Sequence, residues 1–500
     1  MSTGSAARVG RGTAVNWIAW ILARALALAT LLMLARSLGV DELGALLAAL
    51  AAGTLGAALA TGGLGDATAR QAAAAEIDDR ETAQFGRGDL IRGLRRFGAV
   101  LPLVLAAVIV ITARSSDDFG ASELVAASLL AITQGAITIS AAVFRARNQA
   151  ARFAIATNLA ASAGRAVIAL LALVVALSGS AVLWGFALLN LGVAVVTWLQ
   201  AVDGLPSTST SMKGVGALQL GGVVWSLLGN LDVVTVGLLL GAGKAGTYSV
   251  ALRVAEFCAQ FVIAISLFFL PEATRLAVQG QRERLIGLYR SACRWSALTT
   301  LLAAGIGFVT APEIAEIVLP DKAGTITTLL RILFTGYAVQ GALGVSYATL
   351  SAAGAFRAIW TSSIVSLPLL VAATIVLTQV WGLPGAASST LIGYVGLNVW
   401  WTERTIAALG ASPIDARYVR GVLACATGWA AAGLVALLTG DASAVASFAA
   451  ASAAGLAVAV PALVLLRAFT PGESVALRRL LGGRGRGGRP DPASSPVARR

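Results

Sequence analysis

The stretch NWIAWILARALALATLLMLA, residues 16–35, is apolar over the length of a membrane span yet carries Arg24 near its middle. A guanidinium at the bilayer centre costs about 2.5 to 3.5 kcal/mol on insertion scales. Either this segment stays out of the membrane, or Arg24 faces something other than lipid. Composition decides the first point. The chain has 500 residues, 57% of them hydrophobic and 12% charged, with a mean hydropathy of +0.82. A soluble protein of this size needs more charge on its surface. A span needs about 20 mainly apolar residues, and such stretches recur along the whole chain. The sequence therefore describes an all-α polytopic membrane protein, and the first stretch, too long for a signal peptide, is a retained span.

Several chemistries are excluded early. Lys and Arg number 37 against 24 Asp and Glu, but they are dispersed among membrane segments, so nucleic acid is not an expected partner. Cys258, Cys293 and Cys425 lie far apart in apolar surroundings and form neither a disulfide framework nor a metal cluster. The chain has no histidine, which removes His-based catalysis, metal sites and proton relays. No metal or cofactor is expected.

Hydropathy and breaker residues place fourteen spans, at 13–35, 44–66, 97–113, 122–143, 153–177, 181–201, 217–240, 247–270, 295–318, 328–350, 359–380, 385–407, 421–439 and 444–466. With the N-terminus cytoplasmic, 29 of the 37 Lys and Arg fall at the inner ends, four in outer loops and four inside spans. The positive-inside rule then puts both termini in the cytoplasm. The segment after Arg467, ending GGRGRGGRPDPASSPVARR, reads as a basic, disordered tail that can rest on anionic inner-leaflet lipid, Arg478 and Arg479 being nearest the membrane.

Residues 31–50, LLMLARSLGVDELGALLAAL, and 233–252, VVTVGLLLGAGKAGTYSVAL, align at an offset of 202, matching Gly39 with Gly241, Gly44 with Gly246 and Leu50 with Leu252. A weaker echo sets Arg152 opposite Arg357. A repeat of six spans leaves both halves in one orientation around an axis along the membrane normal. The expected organisation is a six-helix lobe over 1–201, an inner linker over 202–216, a second lobe over 217–407, two further helices over 408–467 and the tail over 468–500. Two such lobes enclose a central cavity and suit alternating access.

LARSLGVDELGAL resembles the first outer loop of bacterial oligosaccharide and polysaccharide (Wzx-type) flippases of the MATE-like MOP exporter superfamily. TGGLGDATAR (61–70), FRARNQAARFAIATN, LDVVTVGLLLGAGKAGTYSVALRV, FFLPEATRL and VWGLPGAASSTLIGY resemble later junctions of the same family. The resemblance runs from about residue 13 to 407 and rests on glycine spacing and loop length. It implies a transporter, not an enzyme: one that moves a polyprenyl-diphosphate-linked oligosaccharide across the cytoplasmic membrane for cell-surface polysaccharide. Its partners would be the lipid-linked glycan, membrane lipids and other glycan-assembly proteins.

Site residues come from polar stripes at helical spacing, which should face the bundle interior or a wet cavity. The stripes are Asn16, Trp20 and Arg24; Asn158, Ser162 and Arg165; Ser249, Arg253, Glu256 and Gln260; Tyr337, Gln340 and Tyr347; and Tyr394, Asn398 and Trp401. Guanidinium groups of Arg24, Arg165 and Arg253 match diphosphate oxygens. The amides and aromatics suit sugars. An equally bland reading keeps Arg253 and Glu256, at i and i+3, as a mutually neutralising pair, and lets Asp232 pair with Arg24 or Arg165. Asp232 and Glu256 are the candidates for ion coupling. GAGKAG at 241–246 lacks the remaining features of a phosphate-binding loop, so direct ATP hydrolysis is not expected. The alternatives are a MATE-type multidrug/cation antiporter and, further off, a polytopic glycosyltransferase or polymerase, for which the Asp-Asp pairs at 78–79 and 117–118 are the only hint.

Overall fold

A computed structural model describes residues 22–39, 42–55 except 45, 49, 52 and 53, scattered positions between 88 and 110, and 120–146, 159–203, 215–440, 442–470 and 473. A helical segment over 22–37 comes first. It is followed by α1 (Ala121–Ala146), α2 (Ala160–Val175) and α3 (Gly179–Val202). Next come α4 (Val215–Leu228), α5 (Leu231–Leu240), α6 (Ala242–Glu256) and α7 (Ala259–Val278). The remainder is α8 (Arg282–Val309), α9 (Ala311–Val318), α10 (Ala323–Leu343), α11 (Ser346–Ala352), α12 (Phe356–Trp381), α13 (Leu383–Leu409), α14 (Ala416–Leu438) and α15 (Ala444–Leu465). No strand occurs among the described residues.

Eight helices among the described residues are long and apolar enough to cross a membrane, or nine if α4 and α5 form one span bent by 47°. The expected spans at 44–66 and 97–113 lie largely outside the described residues. Large apolar side chains stay on the outside, with Leu437 83% and Leu465 79% exposed, a surface that only lipid can solvate favourably. Inside the apolar helices, Thr30, Thr133, Thr197, Thr374 and Thr405 return their hydroxyls to the carbonyl four residues back. Polar side chains thus satisfy themselves where water is absent. Ser178, Asp415 and Ser443 cap helix N-termini by accepting from the backbone N–H three residues on.

The structure departs from the expected elements at breaks. The span expected at 247–270 is two helices, α6 and α7, separated by Phe257 and Cys258. The seventh breaks at Gly229–Asn230, where the Asn230 amide donates back to the Ser226 carbonyl. Those at 295–318 and 328–350 each end in a short separate helix, α9 and α11. Hydropathy misses such breaks because the interrupting residues, Asn230 apart, are themselves apolar or small.

The two repeated loops meet. Gly39 and Gly241 both take positive φ, 78° and 93°. A Cβ on Gly44 would overlap the Ala242 carbonyl and press on the Gly246 backbone. Two glycines matched by sequence thus mark one backbone-to-backbone crossing. The described residues that follow α15 are packed, while nearly all of the tail expected from 468 lies outside the described residues. Ala468 is fully buried, and Phe469 stacks on Trp295 with ring centroids 5.0 Å apart. Apolar side chains that find a partner helix are ordered whatever the composition beyond them.

Candidate functional site

A cavity of about 360 Å³ opens between the N-terminal helices and the α5–α7 region. Arg24, Thr30, Thr54, Gln134, Ser162, Arg165, Asn230, Arg253, Glu256 and Gln260 supply its polar lining, and Leu28, Phe186 and Phe257 part of its apolar one. The helical segment 22–37 brings Arg24, α2 brings Ser162 and Arg165, and α6 brings Arg253 and Glu256. Three arginines from three distant segments therefore share one space.

Each is held differently. Arg165 donates to the Asn190 side-chain oxygen at 2.9 Å and to that of Gln134 at 3.4 Å, and Asn190 in turn donates to Gln134 at 3.2 Å. Its guanidinium lies 5.9 Å from the centroid of the Phe186 ring. These partners are neutral, so the positive charge of Arg165 is retained for whatever enters. Arg253 donates to Glu256 at 2.6 Å and to Asn230 at 3.2 Å. The pairing of Arg253 with Glu256 is thus present. It leaves both groups partly accessible, at 31% and 23% of their side chains. Gln260 donates to the Glu256 carbonyl.

Asp232 is elsewhere. It is 2% exposed, and one carboxylate oxygen accepts from Tyr248 Oη at 2.6 Å and Thr390 Oγ1 at 2.8 Å. The other accepts from the Val233 N–H. Among the described residues it has no ion pair with Arg24 or Arg165. Tyr337, Gln340, Tyr394 and Asn398 do not line the cavity either. They are buried among the C-terminal helices, the Tyr337 and Tyr394 rings lying 5.1 Å apart and the Asn398 amide donating to its own helix at the Tyr394 carbonyl. A polar stripe faces the bundle interior in either case, and spacing does not separate a helix seam from a cavity wall. Asn16, Trp20 and Asn158 fall outside the described residues, as does Arg152. Gln134, Asn190 and Asn230 were not legible as site residues, because one amide in an apolar helix makes no stripe. Asn230 did have a signal, as the polar residue at a Gly-Asn helix break.

A second space adjoins the first. A groove of about 610 Å³ runs between α8, α9, α15 and the α6–α7 break. Leu28 and Phe257 line both spaces, and Phe261, Leu302, Ile306, Phe334 and Phe448 make the groove almost wholly apolar. An arginine-rich chamber and a greasy slot thus share two wall residues.

A family model described as polysaccharide biosynthesis protein matches residues 33–322. No curated protein matches the chain. Among solved structures, the lipid II flippase MurJ in an inward closed conformation superposes with a TM-score of 0.66 at 12% identity, covering 93% of this chain and 99% of that one. A MATE transporter in complex with MaL6 gives 0.60 at 16% identity, covering 80% and 97%. A MOP superfamily transporter from Pyrococcus furiosus gives 0.59 at 16% identity, covering 81% and 96%. At these identities the likeness is one of fold.

Proposed function

From the premise that this chain belongs to the polysaccharide biosynthesis protein family, we propose that it carries a polyprenyl-diphosphate-linked oligosaccharide from the inner to the outer leaflet of the cytoplasmic membrane. The observation that carries the reading is the junction at Leu28 and Phe257 of a three-arginine cavity with an apolar groove. A diphosphate is doubly anionic and accepts paired hydrogen bonds, which guanidinium groups supply in matching geometry. A polyprenyl chain is apolar and needs a slot free of unsatisfied polar groups. One ligand with both properties fits both spaces. Arg24 is then tolerated at membrane depth because it lines a polar cavity and meets an anion.

Both termini are inside on this reading, from the bias of basic residues to one side. Two six-helix lobes, 1–201 and 217–407, would rock about the cavity, with the glycine crossing at Gly44 and Ala242 as the closed outer end. Asp232 is the better coupling carboxylate, since Glu256 is already neutralised by Arg253. Other glycan-assembly proteins would supply and consume the cargo. The transporter reading needs no bond-making residue, and glycosyl transfer by the purified protein would overturn it. The MATE neighbours favour one rival, a cation antiporter. Its cargo would meet Arg24 and Arg165 beside the mutually neutralised Arg253–Glu256 pair, a net positive charge that repels it.

The test is genetic and chemical. Deleting the gene should make a lipid-linked oligosaccharide accumulate on the inner leaflet, and wild type should restore the outer pool where an equally expressed Arg24→Ala variant does not. No accumulation, in a strain lacking paralogues, would overturn the function. Equal rescue by Arg24→Ala would remove Arg24 from the site.

A further inference from the structure

Asn230 makes two bonds at the break between α4 and α5, and they lead to different places. The break bends the pair by 47° and interrupts the helical ladder. In an unbroken helix the Ser226 carbonyl would accept from the Asn230 N–H four residues on. Here that N–H turns to the Leu227 carbonyl at 3.2 Å, and the Asn230 side-chain amide donates to Ser226 in its place at 3.1 Å. Asparagine is favoured just before a helix because its side chain caps the first turn. Asn230 stands just before α5 and makes no such cap. Its side chain is committed backwards to α4 and sideways to α6.

The sideways bond comes from Arg253, whose Nη2 donates to Asn230 Oδ1 at 3.2 Å while its Nη1 donates to Glu256 at 2.6 Å. A guanidinium only donates and a carbonyl only accepts, so Arg253 and Ser226 fix which end of the amide points where. Asn230 is 8% exposed, and it lines the polar cavity together with Arg253 and Glu256. An anion entering there competes for the Arg253 donors. Glu256 holds its bond with a full negative charge and at the shorter distance, whereas Asn230 offers a neutral oxygen. Asn230 therefore gives way first. A buried amide oxygen that loses its donor turns to find another. Turning takes Nδ2 off the Ser226 carbonyl, and the Asn230 N–H recovers that carbonyl only as α4 and α5 come into line.

We infer that Asn230 is a positioning residue that couples anion loading at Arg253 to the α4–α5 bend. With the cavity empty, Arg253 holds Asn230 in the orientation that closes the broken turn. With a diphosphate on Arg253, Asn230 is released and the bend opens towards a straight helix. Gly229, at the joint, has open space where a Cβ would stand, so no side chain there opposes the movement. This rests on the cargo reading above and adds how the protein senses that the cavity is occupied.

The experiment places spin labels on the full-length protein in nanodiscs through Gly216→Cys on α4 and Leu239→Cys on α5, both exposed positions. The native cysteines are buried, which keeps the labels at the introduced sites. Straightening the 47° bend should lengthen the label separation by about 3 Å, at ~1.5 Å of rise per residue. Binding of farnesyl diphosphate is titrated in parallel. Bound farnesyl diphosphate should produce that lengthening, and farnesol, which lacks the anion, should not. Asn230→Leu, close in volume and unable to make either bond, should be long without ligand and change no further with it, while still binding through Arg24 and Arg165. Asn230→Asp keeps the acceptor for Arg253 and loses the donor to Ser226. It should also start long, and it decides the matter where Asn230→Leu does not fold. A separation unmoved by bound farnesyl diphosphate, with Asn230 intact, would overturn the inference and leave the cargo reading standing. No binding at all would overturn both. A response in Asn230→Leu equal to that with Asn230 intact, or an equal shift with farnesol, would also overturn the coupling.

Discussion

Arg165 shows how a charge is kept in a membrane protein with no counter-charge beside it among the described residues. Asn190 and Gln134 satisfy part of its donor set with neutral oxygens, and the Phe186 face accepts the cation. Arg165→Ala should weaken cargo binding by about 10- to 100-fold, since a hydrogen bond to a charged group is worth ~1.5–3 kcal/mol. Arg165→Lys should recover only part of that, because it keeps the charge and loses the planar fork. Titrating a diphosphate lipid against each purified variant decides it. Asp232 makes the opposite case, a carboxylate satisfied by hydroxyls and a backbone N–H. Asp232→Asn should leave cargo binding unchanged and remove the response of transport to an imposed proton or sodium gradient. A variant that still follows the gradient would free Asp232 of that role. Residues in stripes were legible in sequence, and Arg24, Ser162, Arg165, Arg253, Glu256 and Gln260 do line one space. Tyr337 and Tyr394 carry the same signal and lie in a helix seam, because amphipathy reports which face is inward and says nothing of what fills the interior.

Among the helices, breaks rather than lengths position the site. Asn230 reaches Arg253 because α4 and α5 are offset at Gly229, and Phe257 reaches both spaces because α6 stops one residue earlier. A continuous helix would have buried one or the other. The glycine crossing acts at the same scale. Gly44→Leu has no room beside the Ala242 carbonyl, and packed interiors yield by displacement rather than compression. The two segments should part, making a cysteine placed at Ser162 more reactive to a membrane-impermeant thiol reagent added from the outer side. Unchanged labelling, with the variant folded, would mean the crossing does not gate. Beyond α15, Glu473 accepts from Ser291 Oγ, Arg294 and Trp295 Nε1 on α8 and is held down to a pKa of about 2. Its hydrogen bonds from Ser291, Thr470 and Arg294 outweigh the cost of burial. A depressed carboxylate contributes above its unfolded value and loses that contribution as pH falls through the folded one. These contacts to α8 should therefore hold unchanged from pH 8 to about 5 and release between about 4.5 and 2, as proteolysis of the chain beyond α15 across that range would show. A release near neutrality would contradict the geometry.

For the whole molecule, span-length hydropathy made the fold class legible, since it is set by the bilayer and not by neighbours in the fold. The apolar groove was not legible. Its walls come from segments as distant as Leu28, Phe334 and Phe448, and each wall residue alone reads as ordinary core. Yet the groove gives the polar cavity its meaning. A chamber of arginines alone would suit any anion, and a greasy slot alone any lipid, whereas on the proposed function the two spaces beside Leu28 and Phe257 would select a ligand with both ends. That selection can be separated experimentally. Ala303, partly buried on the groove wall, becomes an obstruction as Ala303→Trp without touching an arginine. Binding of a long-chain polyprenyl diphosphate should fall about tenfold or more, since each buried methylene is worth ~0.8 kcal/mol. A short-chain analogue with the same diphosphate should bind as it does to wild type. If both analogues weaken alike, the substitution has deformed the cavity. If neither weakens, the chain lies elsewhere, and the groove belongs to the surrounding lipid.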